Sequence, residues 1–311
     1  MKDEDKKVLK ELMESSQAFL PPRFFYNSLG GTLFEAITKL KEYTPTNDEL
    51  SIFESNLLDI KRILPPRICL IDLGAGNCSK AEKVIPTLRP EIFLAVDLPS
   101  AFFRQSVATL TKSFENQKIF ALEKDFTVGL LMSEITEIVG ADISTCSTVI
   151  FFPGSTIGNY SPEEAKKFLL SIEHDFIILG VDLIKPEHEM INAYDDCLGI
   201  TAAFNKNALL NANELLDTDF EVSNWEHRAI FNSLESRIEM HLVAKNTHEV
   251  KSPFGARLFN QGESIHTENS HKYSVETFKD LLLDSGYSDI VDFPHPSKRY
   301  AIFVARGNKL S

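Results

Sequence analysis

Asp72-Leu73-Gly74-Ala75-Gly76 places two glycines one residue apart at the end of an apolar run. That spacing lets a backbone turn sharply and approach a ligand closely. A second carboxylate, Asp97, stands at the end of the next apolar run, where it can accept both hydroxyls of a ribose. Together they describe a site for an adenosine-containing ligand, a class that includes both NAD and S-adenosylmethionine. Ser79 occupies the position of the third glycine of a dinucleotide fingerprint. With that glycine goes the close helix approach that suits a pyrophosphate. A further contact is expected from Lys124-Asp125-Phe126, where a carboxylate and an aromatic ring can hold an adenine. Taken singly, a tight turn before a helix also explains the glycine pair, and a solvated turn explains the second motif.

These residues need a frame of strand ends. Apolar runs at 67–73, 92–98, 118–122, 148–152 and 176–183 read as parallel strands covered on both faces, and helical spacing fills the segments between them, as at 79–88 and 162–171. The fold class is therefore α/β, a doubly wound Rossmann-like sheet. After Leu183 the alternation stops: a helical stretch around 195–216 and an alternating segment at 237–244 read as an insertion. The pattern resumes with a helix at 274–285, then strands at 290–293 and 300–305 joined by a short proline-containing turn, which makes them antiparallel. The first sixty residues precede the first sheet strand and carry the aromatic stretches PPRFFY and KEYTPT. Two domains are expected: a core of residues 61–185 and 273–311, and a substrate-binding domain of residues 1–60 and 186–272.

Bulk properties narrow the partners. The chain has 311 residues, 43% of them hydrophobic and 25% charged, an ordinary globular composition. A net charge of −13 opposes nucleic-acid binding, which depends on Lys and Arg displacing counterions from phosphate. Cys69, Cys78, Cys146 and Cys197 lack CxxC spacing, so reduced thiols and a cytoplasmic location are expected. No membrane partner is expected, because no secretion signal or apolar span of ~18 residues is evident. Dispersed histidines give no metal site, and His266 reads as structural. A monomer acting on a small molecule is the expectation.

Several motifs in order carry a family resemblance: Phe25-Tyr26-Asn27, Glu42-Tyr43-Thr44-Pro45-Thr46, the glycine turn at 72–76, Gly154-Ser155-Thr156-Ile157-Gly158-Asn159, Ala193-Tyr194-Asp195-Asp196, Thr201-Ala202-Ala203-Phe204-Asn205, Arg237-Ile238-Glu239-Met240 and His266-Thr267-Glu268-Asn269-Ser270. The ordered set resembles the histidine Nα-methyltransferases of the ergothioneine pathway. The resemblance implies the class I methyltransferase fold, S-adenosylmethionine as donor and the α-amino group of L-histidine as acceptor. It implies that Asn159 and Tyr194 hold the substrate carboxylate, that Tyr26 and Tyr43 frame the amine, and that Glu268 and Ser270 recognise the imidazole with Met240 beside it. The expected donor contacts are Gly74, Gly76, Lys80, Asp97, Asp125, Phe126 and Gly154. Pro153 departs from the family's commoner glycine before Gly154.

Other readings of the same residues are a methyltransferase for another amino acid, such as tryptophan, or an indole amine, an adenosine-binding sensor without chemistry, and an NAD oxidoreductase. Glu268 and Ser270 favour an imidazole over an indole. The set Tyr26, Tyr43, Asn159 and Tyr194 argues for chemistry, and the missing third glycine argues against NAD.

Overall fold

The computed structural model describes Met1 and residues 3–307, without the side chain of Val128. Lys2 and residues 308–311, which the expected domain ranges include, lie outside the described residues. The chain forms two units. One comprises Pro45–Ile184 and the chain from Lys272 onward; the other comprises Met1–Thr44 and Lys185–His271.

The first unit is built on a seven-stranded sheet: β1 (Ile68–Leu73), β2 (Ile92–Asp97), β3 (Lys118–Glu123), β4 (Ser147–Phe152), β5 (Phe176–Asp182), β6 (Ser288–Pro294) and β7 (Tyr300–Arg306). Its order is β6-β7-β5-β4-β1-β2-β3, with β1 to β5 parallel and β7 antiparallel to both β5 and β6. That reversed finishing hairpin is the class I methyltransferase arrangement. Alternation along each strand divides the interior in two. Cys69, Ile71, Leu73, Ile150 and Phe152 face one apolar layer, and Ile68, Leu70, Val149 and Phe151 face the other. β3 departs from the doubly covered reading: it lies at the sheet edge and is only partly buried.

The helix Pro45–Ile63 corrects the expected domain boundary. Beyond its first residue, Pro45, its buried positions are Glu49, Ile52, Phe53, Leu57 and Ile60, a helical spacing of three and four that makes one face. The apolar members of that face join Phe151, Tyr300, Ile302 and Val304 in a single core, so residues 45–60 belong to the sheet unit. The returning chain is secured at Lys272, whose ammonium lies 2.9 Å from Asp182 with both groups buried.

In the second unit a mixed sheet runs in the order Ala18–Phe19, Ser264–His271, Arg237–Ala244, Trp225–Asn232. Met240, Leu242, Ala244, Ile265 and Trp225 share a core with Phe204, Ala208, Leu209 and Leu216 of the helix Ile200–Leu216. The helical stretch expected around 195–216 is the helix Ile200–Leu216, and a separate helix, Glu187–Tyr194, precedes it. Asp196 separates them by accepting the N–H groups of Leu198, Ile200 and Thr201. A ribbon of His248–Ser252 with Gly255–Phe259 completes this unit.

Gly180 in β5 shows how closely the helix Pro45–Ile63 is seated. A methyl group there would stand 1.9 Å from Glu49 Oε1 and 2.4 Å from the Tyr300 hydroxyl. A strand glycine ordinarily weakens a sheet, yet the clash outweighs that gain. Gly180→Ala is expected to lower stability by about 1–3 kcal/mol, read from urea unfolding midpoints.

Candidate functional site

The turn after β1 is tied to the end of β2. Gly74 and Ala75 donate to the carbonyl of Val96 at 2.9 and 3.2 Å, and Gly76 donates to Asp97 Oδ2 at 2.6 Å. Leu98 N–H donates to the other Asp97 oxygen at 2.7 Å. Gly74 and Gly76 both adopt positive φ, which the turn requires. Asp97 is thus clamped in one orientation by two main-chain donors, and each oxygen retains lone-pair capacity for a hydroxyl. Burial pushes its carboxyl above the ordinary value against the lowering effect of those two donors.

Lys80, the second residue of the following helix Ser79–Leu88, reaches Glu49 at 2.7 Å. Its ammonium lies 2.7 Å from where a side chain on Gly154 would begin, and Gly154 itself has φ +79°. The positive φ favours glycine there, and a side chain would also have to displace the Lys80 ammonium. The Gly154 N–H donates to Glu49 Oε1 at 2.7 Å, and the Tyr300 hydroxyl donates to the same oxygen at 2.7 Å. Asp125 accepts from the N–H and hydroxyl of Thr127, so one of its oxygens caps a short turn. Phe126 is buried against Phe152 and Phe168, with its ring beside Gly74. Asn159 ends a short 3-10 helix after β4, in this same unit.

In the second unit the structure brings together most of the residues expected for the substrate. Tyr26, Phe34, Tyr43 and Tyr194 form an edge-to-face chain with centroid separations of 6.2, 6.4 and 6.2 Å. The Tyr194 hydroxyl lies 2.7 Å from Ser270 Oγ. Glu268 pairs with Met240 and Ser270 with Ile238 across the sheet, so all four side chains share one face. Glu268, Ser270 and Met240 are buried, and Tyr26 is 40% exposed.

A polar relay holds this set. The Tyr194 carbonyl accepts from His227 Nε2 at 2.7 Å, and His227 Nδ1 accepts from Asn205 Nδ2 at 2.8 Å. Asn205 Oδ1 accepts from Thr267 Oγ1 at 2.8 Å. The carbonyl acceptor fixes the His227 tautomer and makes each donor and acceptor consistent along the line.

Residues 4–307 match the family of histidine-specific, S-adenosylmethionine-dependent methyltransferases. The histidine Nα-methyltransferase of Mycolicibacterium smegmatis is 31% identical over 92% of this chain and 89% of its own length. That of Mycobacterium tuberculosis is 31% identical over 88% and 86%. Ergothioneine biosynthesis protein 1 of Neurospora crassa is 26% identical over 94% of this chain and 33% of its own length. The chain belongs to the histidine-specific methyltransferase family.

The methyltransferase's sheet unit fits its donor. Asp72, at the end of β1, is 1% exposed, and neither carboxyl oxygen has a hydrogen-bond partner among the described residues. Buried polar atoms are rarely left so, and a ligand carrying an ammonium and a sulfonium would supply the missing complement. Desolvation pushes the Asp72 carboxyl up to about 8, with Asp97 and Glu49 adding to the rise and Lys80 opposing it.

Glu49, Asp72, Asn205, His227 and Thr267 were not singled out by sequence reasoning as site residues of the methyltransferase. Glu49 stood in a segment assigned to the other domain, and the apolar stripe at 52, 53, 57 and 60 was the available signal for its placement. Asp72 was visible only as the start of the glycine motif. Nothing in residue spacing reveals a hydrogen-bond relay assembled from three distant segments.

Asp72 also predicts a pH dependence. Its folded value of about 8 exceeds its ordinary 3.8, so between these the native state keeps a proton that the unfolded chain releases. Stability from this group is complete below the lower value and lost as pH rises through the upper one. Asp72→Asn removes that loss. Its urea midpoint relative to the unsubstituted protein is expected to rise progressively from pH 5 to pH 8.5; a constant difference across that range contradicts the assignment.

Proposed function

We propose that this methyltransferase acts on the α-amino group of L-histidine and carries it to the Nα,Nα,Nα-trimethyl product, hercynine, in the first step of ergothioneine biosynthesis. The observation that carries the substrate assignment is the buried Glu268 with Ser270 on the same sheet face, the latter in contact with Tyr194. An imidazole offers one N–H and one ring nitrogen acceptor, and a carboxylate with a hydroxyl complements both. The relatives from the two mycobacterial species, both histidine Nα-methyltransferases, support the same reading.

When bound, S-adenosylmethionine supplies a methyl electrophile whose carbon–sulfur bond breaks as the amine lone pair forms the new carbon–nitrogen bond. Asp97 takes the ribose hydroxyls, the turn at Gly74 and Gly76 admits close backbone approach, and Lys80 meets the donor carboxylate beside Gly154. Asp125 and Phe126 serve the adenine. Asn159 and Tyr194 hold the histidine carboxylate, Met240 closes the floor beneath the imidazole, and Tyr26 and Tyr43 frame the amine. Only the neutral amine has a lone pair to give, and a phenol of pKa about 10 is a poor base at neutral pH. The tyrosines therefore orient the nitrogen while its proton passes to water, for which the exposure of Tyr26 provides access. Each added methyl removes an N–H, and aromatic faces attract the resulting quaternary ammonium.

No helix is long and apolar enough to cross a membrane among the described residues, and all four cysteines are unpaired thiols. The free thiols support the proposed location in a reducing cytoplasm, and a monomer is proposed with it.

Glu268→Ala is expected to raise the histidine KM roughly 10- to 100-fold, the worth of a charged hydrogen bond of about 1.5–3 kcal/mol. Donor affinity by calorimetry should stay unchanged. An unaltered histidine KM refutes the role given to Glu268.

A further inference from the structure

Glu268 does not sit on a regular strand. Its strand, Ser264–His271, is irregular between His266 and Glu268: His266 pairs with His241, Glu268 with the adjacent Met240, and Thr267 is the extra residue. Such a bulge re-aims the side chains that flank it and has to be held in place. Here it is held on both sides. Thr267 is fully buried, with its hydroxyl 2.8 Å from Asn205 Oδ1 and 2.9 Å from the Met240 carbonyl oxygen. The His266 ring bends back along its own strand so that Nε2 donates to the Glu268 carbonyl at 3.1 Å.

The pairing puts the His266 and His241 side chains on the sheet face opposite Glu268 and Met240. On that face the two imidazoles stack at 4.6 Å with planes 20° apart, and Phe19 meets His266 edge-on at 5.7 Å. His241 is in turn anchored: its Nε2 donates to Glu239 Oε2 at 3.1 Å, and Glu239 accepts from Arg237 and Asn232, both at 2.9 Å. Burial, and secondly the His241 ring, keep His266 below the ordinary imidazole value. A neutral ring whose Nε2 faces a carbonyl must carry its hydrogen there.

Glu239, His241 and His266 also bring three ligand atoms within 4.8 Å of one another. Stacked rings cannot share an ion, because a metal between them would lie well out of both ring planes, away from the in-plane lone pairs. Glu239 is moreover already taken by a guanidinium and an amide. The cluster's chemistry is that of a brace.

We propose that His266, stacked on the anchored His241, is a positioning residue for substrate specificity: by holding the Glu268 carbonyl from the far side of the sheet, it fixes the bulge that aims the Glu268 carboxylate at the substrate imidazole. This rests on the reading of Glu268 as the imidazole partner. Misplacement of a recognition group by about 1 Å is enough to change a rate or affinity substantially.

The test compares His266→Leu, which loses the N–H donor, with His266→Gln, which carries an amide N–H the same number of bonds from the backbone. His266→Leu is expected to raise the histidine KM about tenfold or more with the S-adenosylmethionine Kd unchanged, and His266→Gln to recover most of the loss. A general structural role would instead lower the melting temperature and weaken donor and histidine together. A histidine KM unchanged in His266→Leu, or an equal rise in both variants, overturns the proposal. Glu268→Ala run alongside separates the two readings: if it leaves the histidine KM unchanged, the reading of Glu268 fails, whereas a raised KM there with none in His266→Leu fails the positioning role alone.

Discussion

The sheet unit turns on one buried carboxylate. Glu49 lies on the helix Pro45–Ile63, wholly inaccessible, and its side chain meets the ammonium of Lys80, the N–H of Gly154 and the hydroxyl of Tyr300. Those partners come from the helix after the glycine turn, the loop after β4 and the last strand. Three segments far apart in sequence are thereby fixed to one another at the ends of the strands where the residues proposed to hold the donor stand. Breaking a buried ion pair by removing one partner costs about 3–5 kcal/mol, so this contact is tied to the stability of the fold as well as to the geometry of the loop.

The same contact explains two glycines. Gly180 leaves room for the Glu49 carboxylate, and Gly154 leaves room for the Lys80 ammonium. Pro153, the departure from the family's commoner sequence, sits before Gly154 without disturbing its bond to Glu49. Its carbonyl accepts from the Thr156 hydroxyl at 3.3 Å. The second unit uses a different device. It positions Tyr194 and the strand of Glu268 through neutral hydrogen bonds running His227, Asn205, Thr267, where the burial of each group makes an unmade bond costly.

What the sequence revealed follows physical range. The parallel strands were legible because doubly covered strands must be almost continuously apolar, and the finishing hairpin because a short proline turn leaves no room for a crossover. Gly74, Gly76 and Asp97 were legible because a tight turn and a strand-end carboxylate are local facts. The boundary at Pro45 was not, because chain order before the first strand suggested separation while the side chains of Ile52, Phe53 and Ile60 are core to the sheet. Asp125 was read as a ligand contact, and one of its oxygens also has a local task as the cap of the turn at Thr127. The bulge at Thr267 leaves no mark in residue alternation that separates it from an ordinary strand, although the motif containing it was visible.

Family membership, the donor-side cradle and the carboxylate-hydroxyl pair on one sheet face converge on a single reaction. The measurement that tests it most directly is mass spectrometry of the purified protein incubated with S-adenosylmethionine carrying a labelled methyl group and an equimolar pool of the twenty amino acids. Label is expected in histidine alone, on the α-nitrogen, rising to three methyl groups. Label on another amino acid, or none while the donor binds, contradicts it.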